Sequence, residues 1–221
     1  MNLFVTGTDT GVGKTHTVVQ VLRLLRNAGE SCAGFKPICC GDRRDAELLL
    51  EASCCGLTID DINPLWLKTP AAPIVAARVD HIEVKVERLI DAFHSLRERV
   101  PHVLVEGAGG WLVPITADYS MSDLAAEMKL PVLIVAQNRL GCLNHTALTE
   151  QSVKTRGLHC AGVVLNALPD SADIAEQTNA EVLRQIIHAP VLSGLNSKMA
   201  VFPPDWRSMI KALEAVEVSL K

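Results

Sequence analysis

Short apolar runs alternate along the chain with longer stretches in which apolar positions recur every three or four residues, and this alternation predicts repeated strand-then-helix units. Residues 2–6 (Asn-Leu-Phe-Val-Thr) read as a buried strand, and residues 14–26 carry Val18, Val21, Leu22 and Leu25 at helical spacing. Gly29 stops that helix, and residues 32–36 read as a second strand closed by Pro37. A helix is expected over 45–52 and a clearer one over 82–99, with Leu89, Ile90, Phe93 and Leu96 on one side. Pro64, Pro70 and Pro73 mark the stretch between them as loop-rich. The runs 103–105, 132–136 and 161–165 read as further buried strands. Pro203-Pro204 and a capping Asp205 introduce a last helix with Trp206, Met209, Ile210, Leu213 and Val216 on one face, a stripe suited to core or to a subunit contact. Strand followed by helix, repeated, implies right-handed crossovers and an α/β fold: a parallel β-sheet flanked by helices in three layers, α/β/α.

Composition narrows the partners. With 221 residues, 48% hydrophobic and only 4% aromatic, the chain can bury one substantial core, so a single domain over 1–221 is expected. A net charge of -4 and a pI near 6.0 give no general attraction to nucleic acid or to an anionic membrane. No apolar run approaches the roughly 18 residues of a membrane span. Residues 1–6 lead straight into a glycine loop, without room for a signal segment, so a cytoplasmic location is expected. The seven cysteines form an odd set without CxxC pairs, which suits thiols in a reducing compartment. Cys39-Cys40 and Cys54-Cys55 are adjacent pairs, but neighbouring side chains point different ways, so they read as small buried or half-buried residues and not as a soft-metal site.

The strongest chemical signal is Gly7-Thr8-Asp9-Thr10-Gly11-Val12-Gly13-Lys14-Thr15, placed where a strand gives way to a helix. Glycines let backbone N–H groups converge on phosphate oxygens, and the following helix adds its positive end. Lys14 supplies a mobile charge toward the outer phosphates, and the Thr15 hydroxyl can ligate Mg. The loop is a variant, since Thr8 stands where the first glycine of GxxxxGK[ST] belongs. A carboxylate in an anion site is costly unless a cation faces it, so Asp9 is expected to face Mg, Lys14 or an incoming amine. Residues 103–110 (Val-Leu-Val-Glu-Gly-Ala-Gly-Gly) form an apolar strand ending in an acid and a glycine turn, the layout of a Walker B element with Glu106 as its carboxylate. Open α/β sheets bind ligands at the carboxyl ends of their strands, so Glu106, Lys36 and Asp45 can share one crevice with the loop. The fold expectation is therefore P-loop NTPase-like.

These pieces together resemble the dethiobiotin synthetase family: the 7–15 loop, Lys36-Pro37, Asp45-Ala46, EGAGGW at 106–111 and LGCLNH at 140–145, a likeness spanning residues 2 to about 167. The resemblance implies an ATP-dependent, Mg-dependent homodimer that converts 7,8-diaminopelargonate and CO2 into dethiobiotin, with ADP and phosphate as products. By matching positions, it implies catalytic roles for Lys14, Lys36 and Asp9, and nucleotide contacts from Thr10, Gly11, Val12, Gly13, Lys14 and Thr15. Asn166 would read the purine, and Thr15, Asp45 and Glu106 would surround Mg. Thr10, Lys36, Cys40, Gly109 and Gly110 would meet the substrate, while Leu143-Asn144 would reach its distal carboxylate from the partner subunit. His145 would position that segment in preference to moving a proton.

Three departures from the family pattern stand out. Gly11 replaces an acidic residue found in relatives, Cys40 replaces a common serine hydroxyl, and residues 196–204 do not match the later nucleotide segment. Two other readings share the loop. A cobyrinate-type amidating synthase needs a glutaminase domain for which 221 residues leave no space. A ParA- or MinD-like switch ATPase carries a second lysine early in the loop, where this chain has Thr8 and Asp9, and no basic or amphipathic membrane tail is evident.

Overall fold

The computed structural model describes residues 1–167 and 173–195. In chain order the elements are β1 (Asn2–Gly7), α1 (Lys14–Asn27), β2 (Cys32–Phe35), β3 (Ile38–Cys40), α2 (Arg44–Ala52), α3 (Ile59–Ile62), β4 (Leu65–Leu67) and α4 (Pro73–Val79). There follow α5 (Val86–Arg99), β5 (His102–Gly110), α6 (Met121–Met128), β6 (Val132–Gln137), α7 (Cys142–Thr155), β7 (Cys160–Asn166), α8 (Ile174–Ile186) and β8 (Val191–Leu195). Six strands form the main sheet in the order β2-β5-β1-β6-β7-β8, and β3 and β4 pair in a small second sheet. Every one of these pairings is parallel.

Parallel sheets are covered on both faces, which is why β1 and the central part of β6 are buried at every position and read as continuous apolar runs. The path from β1 to β2 runs toward one edge, whereas the paths β5 to β6, β6 to β7 and β7 to β8 run toward the other. With right-handed crossovers, α1 lies on one face and α6, α7 and α8 on the opposite one. Phe4, Phe35 and Phe93 are fully buried between these layers, and the Phe35 and Phe93 rings sit 6.0 Å apart.

Two local features aim the site. At Gly34 in β2, an added Cβ would lie 2.6 Å from Leu49 Cγ, so α2 docks directly on the strand backbone. In β5, Glu106 pairs with Val5 and Gly110 with Gly7, so three residues intervene on β5 against one on β1. The expected glycine turn after Glu106 is thus a bulged continuation of the strand.

Other boundaries also shift from expectation. The helix expected over 82–99 begins at Val86, because Ile82 N–H bonds Ala77 C=O and His81 adopts φ 54, so both belong to the exit of α4. The stretch expected to be loop-rich contains β4 and α4, with Pro73 starting a helix instead of breaking one. The helix expected after Pro203-Pro204, and the segment 196–204, lie outside the described residues.

Candidate active site

Because all the strands run the same way, the carboxyl ends of β1, β2, β5 and β7 line one edge, and the four motif segments begin there. After β1, Gly11 and Gly13 take φ values of +74° and +96°, and Gly13 caps α1. Lys14 folds back so that Nζ donates to Asp9 C=O at 3.0 Å. A Cβ on Gly7 would come within 2.9 Å of that ammonium, so glycine makes the space it occupies. Burial, reinforced by the nearby charge of Lys36, lowers the Lys14 pKa to about 8, even though Glu106, Asp45 and Asp9 pull the other way. The Asp9 carboxylate is exposed and accepts from Thr10 N–H at 2.7 Å; Lys14 meets the Asp9 carbonyl and not its side chain.

Beside the loop lies a network of charge built on the buried Lys36 and Glu106 and the half-exposed Asp45. Lys36 Nζ donates to Asp45 Oδ2 at 2.8 Å and to Glu106 Oε1 at 2.5 Å. Thr15 Oγ1 stands 2.9 Å from Asp45 Oδ1 and 2.8 Å from Glu106 Oε1, with a single proton to offer the two. Burial alone would lower the Lys36 pKa, yet Glu106 and Asp45 outweigh it and hold the ammonium above its ordinary value. Burial works against Asp45 ionising, but Lys36, Thr15 and Lys14 together keep its carboxyl below the usual range. Glu106 is 0% exposed, and its Oε2 is buried without a hydrogen-bond partner. Two carboxylates and a hydroxyl, with an acceptor oxygen to spare, form a hard oxygen donor set that fits Mg. Among the described residues, no group of three or more His, Cys, Asp or Glu side chains is placed so as to hold a metal ion.

A cleft of about 460 Å³ opens next to this network. Thr10, Lys36, Cys40, Asp45 and Gly109 line it, opposite a wall of Pro70, Ala71, Ala72 and Pro73. Of the expected substrate residues, Gly110 lies elsewhere: it packs toward the Gly7 and Thr8 carbonyls at 3.5 and 3.8 Å from a built Cβ. Cys40 is half-buried and, chiefly through that burial, its pKa rises to about 11, so it offers only a weak S–H donor near neutral pH. Leu143 and Asn144 sit in the first turn of α7 and do not line the cleft of their own chain; Asn144 and His145 are exposed. Asn166 stands at the end of β7 with Nδ2 donating to Val12 C=O at 3.1 Å, and a Cβ on Gly13 would fall 1.9 Å from that nitrogen. The side chain expected to read the purine therefore also braces the phosphate loop.

Several contributors carried no sequence signal. Asp80 accepts from Lys68 N–H, Thr69 N–H and Thr69 Oγ1 and so pins the cleft wall, and Asn63, itself held by Arg43, donates to the Lys36 carbonyl. A lone acid, or an Asn-Pro step, is common in any loop; only the fold brings these to the cleft.

Residues 1–204 match the AAA domain family AAA_26. The chain is 45% identical to the ATP-dependent dethiobiotin synthetase BioD of Akkermansia muciniphila, over 88% of this chain and 91% of that protein. It is 38% identical to the protein of the same name from Bacillus subtilis (strain 168), over 89% of this chain and 87% of the relative. The chain belongs to the dethiobiotin synthetase family. Among solved structures, the septum site-determining protein MinD of Pyrococcus horikoshii OT3 superposes with a TM-score of 0.56 at 15% identity, over 87% of this chain and 82% of its own. A ParA family ATPase of Chlorobium tepidum TLS gives 0.53 at 14%, over 99% and 93%. At such identity the likeness establishes a P-loop NTPase fold alone, whereas the dethiobiotin synthetase relatives share the sequence over most of the chain.

Proposed function

We propose that the cleft beside Lys36 binds 7,8-diaminopelargonate with CO2, and that the loop at 7–15 holds ATP with Mg. The chain is an ATP-dependent dethiobiotin synthetase, a cyclo-ligase of biotin biosynthesis. One observation carries the assignment of residues: Lys36 both lines the cleft and pairs with Asp45 and Glu106 beside the phosphate loop. A cation there is within reach of both the substrate and the terminal phosphate.

In this reading a neutral amine of the substrate adds to CO2, losing a proton and giving a carbamate. The carbamate oxygen attacks the γ-phosphorus and ADP departs. The second amine then attacks the carbonyl carbon, phosphate leaves, and the cyclic urea closes. Every stage develops negative charge, and phosphoryl transfer depends on positioning and charge stabilisation. Lys36 neutralises the carbamate, and Lys14 and the loop N–H groups hold the outer phosphates. Bound through Thr15, Asp45 and Glu106, Mg would neutralise charge shared between phosphates. Asn166, anchored to Val12, meets the purine, and Asp9 stands at the loop's exposed side where an amine enters.

The distal carboxylate of the substrate is assigned to Leu143-Asn144 of a second copy, in a cytoplasmic homodimer. Leu140 is 80% exposed, and Leu148, one turn beyond Asn144, is exposed as well, an apolar flank suited to an isologous contact. Incubation with diaminopelargonate, bicarbonate and MgATP should give the cyclic urea by mass spectrometry, with ATP consumption requiring the diamine. ATP hydrolysis without the diamine, and no urea with it, would instead support a ParA- or MinD-like switch.

A further inference from the structure

The Lys36 backbone leaves the main sheet immediately after β2, and the following Pro37 has no N–H to continue a ladder. Its two polar groups are held from one place instead: Lys36 N–H donates to Ile62 C=O at 2.7 Å, and Lys36 C=O accepts from Asn63 Nδ2 at 2.8 Å. Asn63 is 0% exposed. Its second amide hydrogen goes to Leu65 C=O at 2.9 Å, and its Oδ1 accepts from Arg43 Nε at 2.8 Å. Arginine only donates and carbonyls only accept, so this amide orientation alone satisfies all three partners. Arg43 Nη2 also donates to Asn63 C=O and to Asp60 Oδ1, both at 2.7 Å, and its guanidinium lies 5.6 Å from the Trp66 ring centroid.

Arg43 is the residue that caps α2, two positions before Asp45. One buried amide therefore fixes the Lys36 turn through its nitrogen and the start of the Asp45 helix through its oxygen. We propose that Asn63 and Arg43 are a positioning pair that sets the separation of Lys36 and Asp45, an inference resting on the roles assigned to those two residues above. Asn63 touches no substrate; it acts by holding the lysine and the carboxylate at their 2.8 Å contact. Loss of the amide would remove the side-chain donor from the Lys36 and Leu65 carbonyls and free both segments to drift apart.

Arg43→Lys keeps a positive charge near Asp60 and Trp66 but removes the Nε–H donated to Asn63. Turnover of full-length protein should fall about 5-fold in Arg43→Lys and about 30-fold in Asn63→Ala, with the KM for ATP changed less than about 2-fold. Half-saturating Mg should rise about 5-fold in both, because Asp45 is displaced, and the double variant should be no slower than Asn63→Ala, as expected of coupled partners. Leu183→Ala, in the buried face of α8, supplies a destabilised control whose turnover per folded molecule should be unchanged. Wild-type turnover and Mg dependence in Arg43→Lys would overturn the proposal, even if Asn63→Ala fails to fold. A loss in either variant that merely tracks the folded fraction, as in the control, would do the same. Failure of wild-type protein to make the cyclic urea would strike the functional reading instead, so the two failures are distinguishable.

Discussion

The charge network at Lys36 and the opening turn of α7 are marked by equally clear motifs, yet they differ in what surrounds them. Lys36, Asp45, Glu106 and Thr15 find one another within a single chain at hydrogen-bond distances, with Lys36 and Glu106 buried. Leu140, Asn144 and Leu148 project outward, and Asn144 is exposed. The Lys36–Glu106 pair is buried and organised before any ligand arrives, so removing either member strands the other with little solvent to compensate. The outward-facing segment is not organised in this way within one chain, and the role proposed for it is completed by a second copy that docks on it. The difference separates a role that can be tested in one chain from one proposed to require two.

The sharpest way to break the comparison is Glu106→Gln, which keeps the shape but removes the charge facing Lys36 and the proposed metal. Turnover should fall by about 10³-fold or more, as for a lost charge-stabilising group; a loss under tenfold in the urea assay would mean that this carboxylate is not central. Lys36→Ala should lower turnover by about 10²-fold with little change in ATP affinity, the pattern of an interaction made mainly in the transition state. Unchanged turnover would remove Lys36 from the chemistry.

Asn144→Asp tests the other region. It should raise the KM for the diamine by about tenfold, by setting a like charge against the distal carboxylate in the proposed contact, which affects binding more than chemistry. Mixed with the Lys36→Ala chain, it should restore roughly a quarter of wild-type sites, since each mixed dimer of a two-fold assembly holds one intact site. No rescue would mean that the two residues serve the same site from one chain.

A smaller effect concerns protons. The Lys14 pKa is lowered from 10.5 to about 8, and bound phosphate should raise it again. Nucleotide binding should therefore take up protons near pH 8 and almost none at about pH 6.5, measurable by calorimetry in buffers of different ionisation enthalpy. Between about 8 and 10.5 the unfolded chain holds more protons at this lysine, so its contribution to stability rises with pH. The smallest change expected is Cys40→Ser, which supplies a stronger donor to the cleft and should lower the diamine KM by about 2- to 3-fold.

Legibility from sequence followed how local the cause was. Strands such as 132–136 are buried on both faces by their own composition, and the phosphate loop is contiguous, so both could be read directly. The helix expected from Ile82 starts later because the Ile82 N–H closes α4 and its side chain stays exposed, while Val84 packs on the core before α5 begins. Pro73 looked like a breaker because a proline is ambiguous until the chain on either side is known to be helix or loop. Asn63 was invisible for a different reason: its partners Lys36 and Arg43 lie 27 and 20 residues away, and nothing in an Asn-Pro step announces them.

Gly34 has no chemistry to offer, yet its missing methyl governs where chemistry can occur. A Cβ there would collide with Leu49, one turn along α2 from Asp45, and the helix could relieve the clash only by pivoting off the strand. Alanine at 34 would thus act as a lever, swinging a distant carboxylate away from Thr15 and Lys36, and a damaging change would masquerade as a harmless one in the sheet.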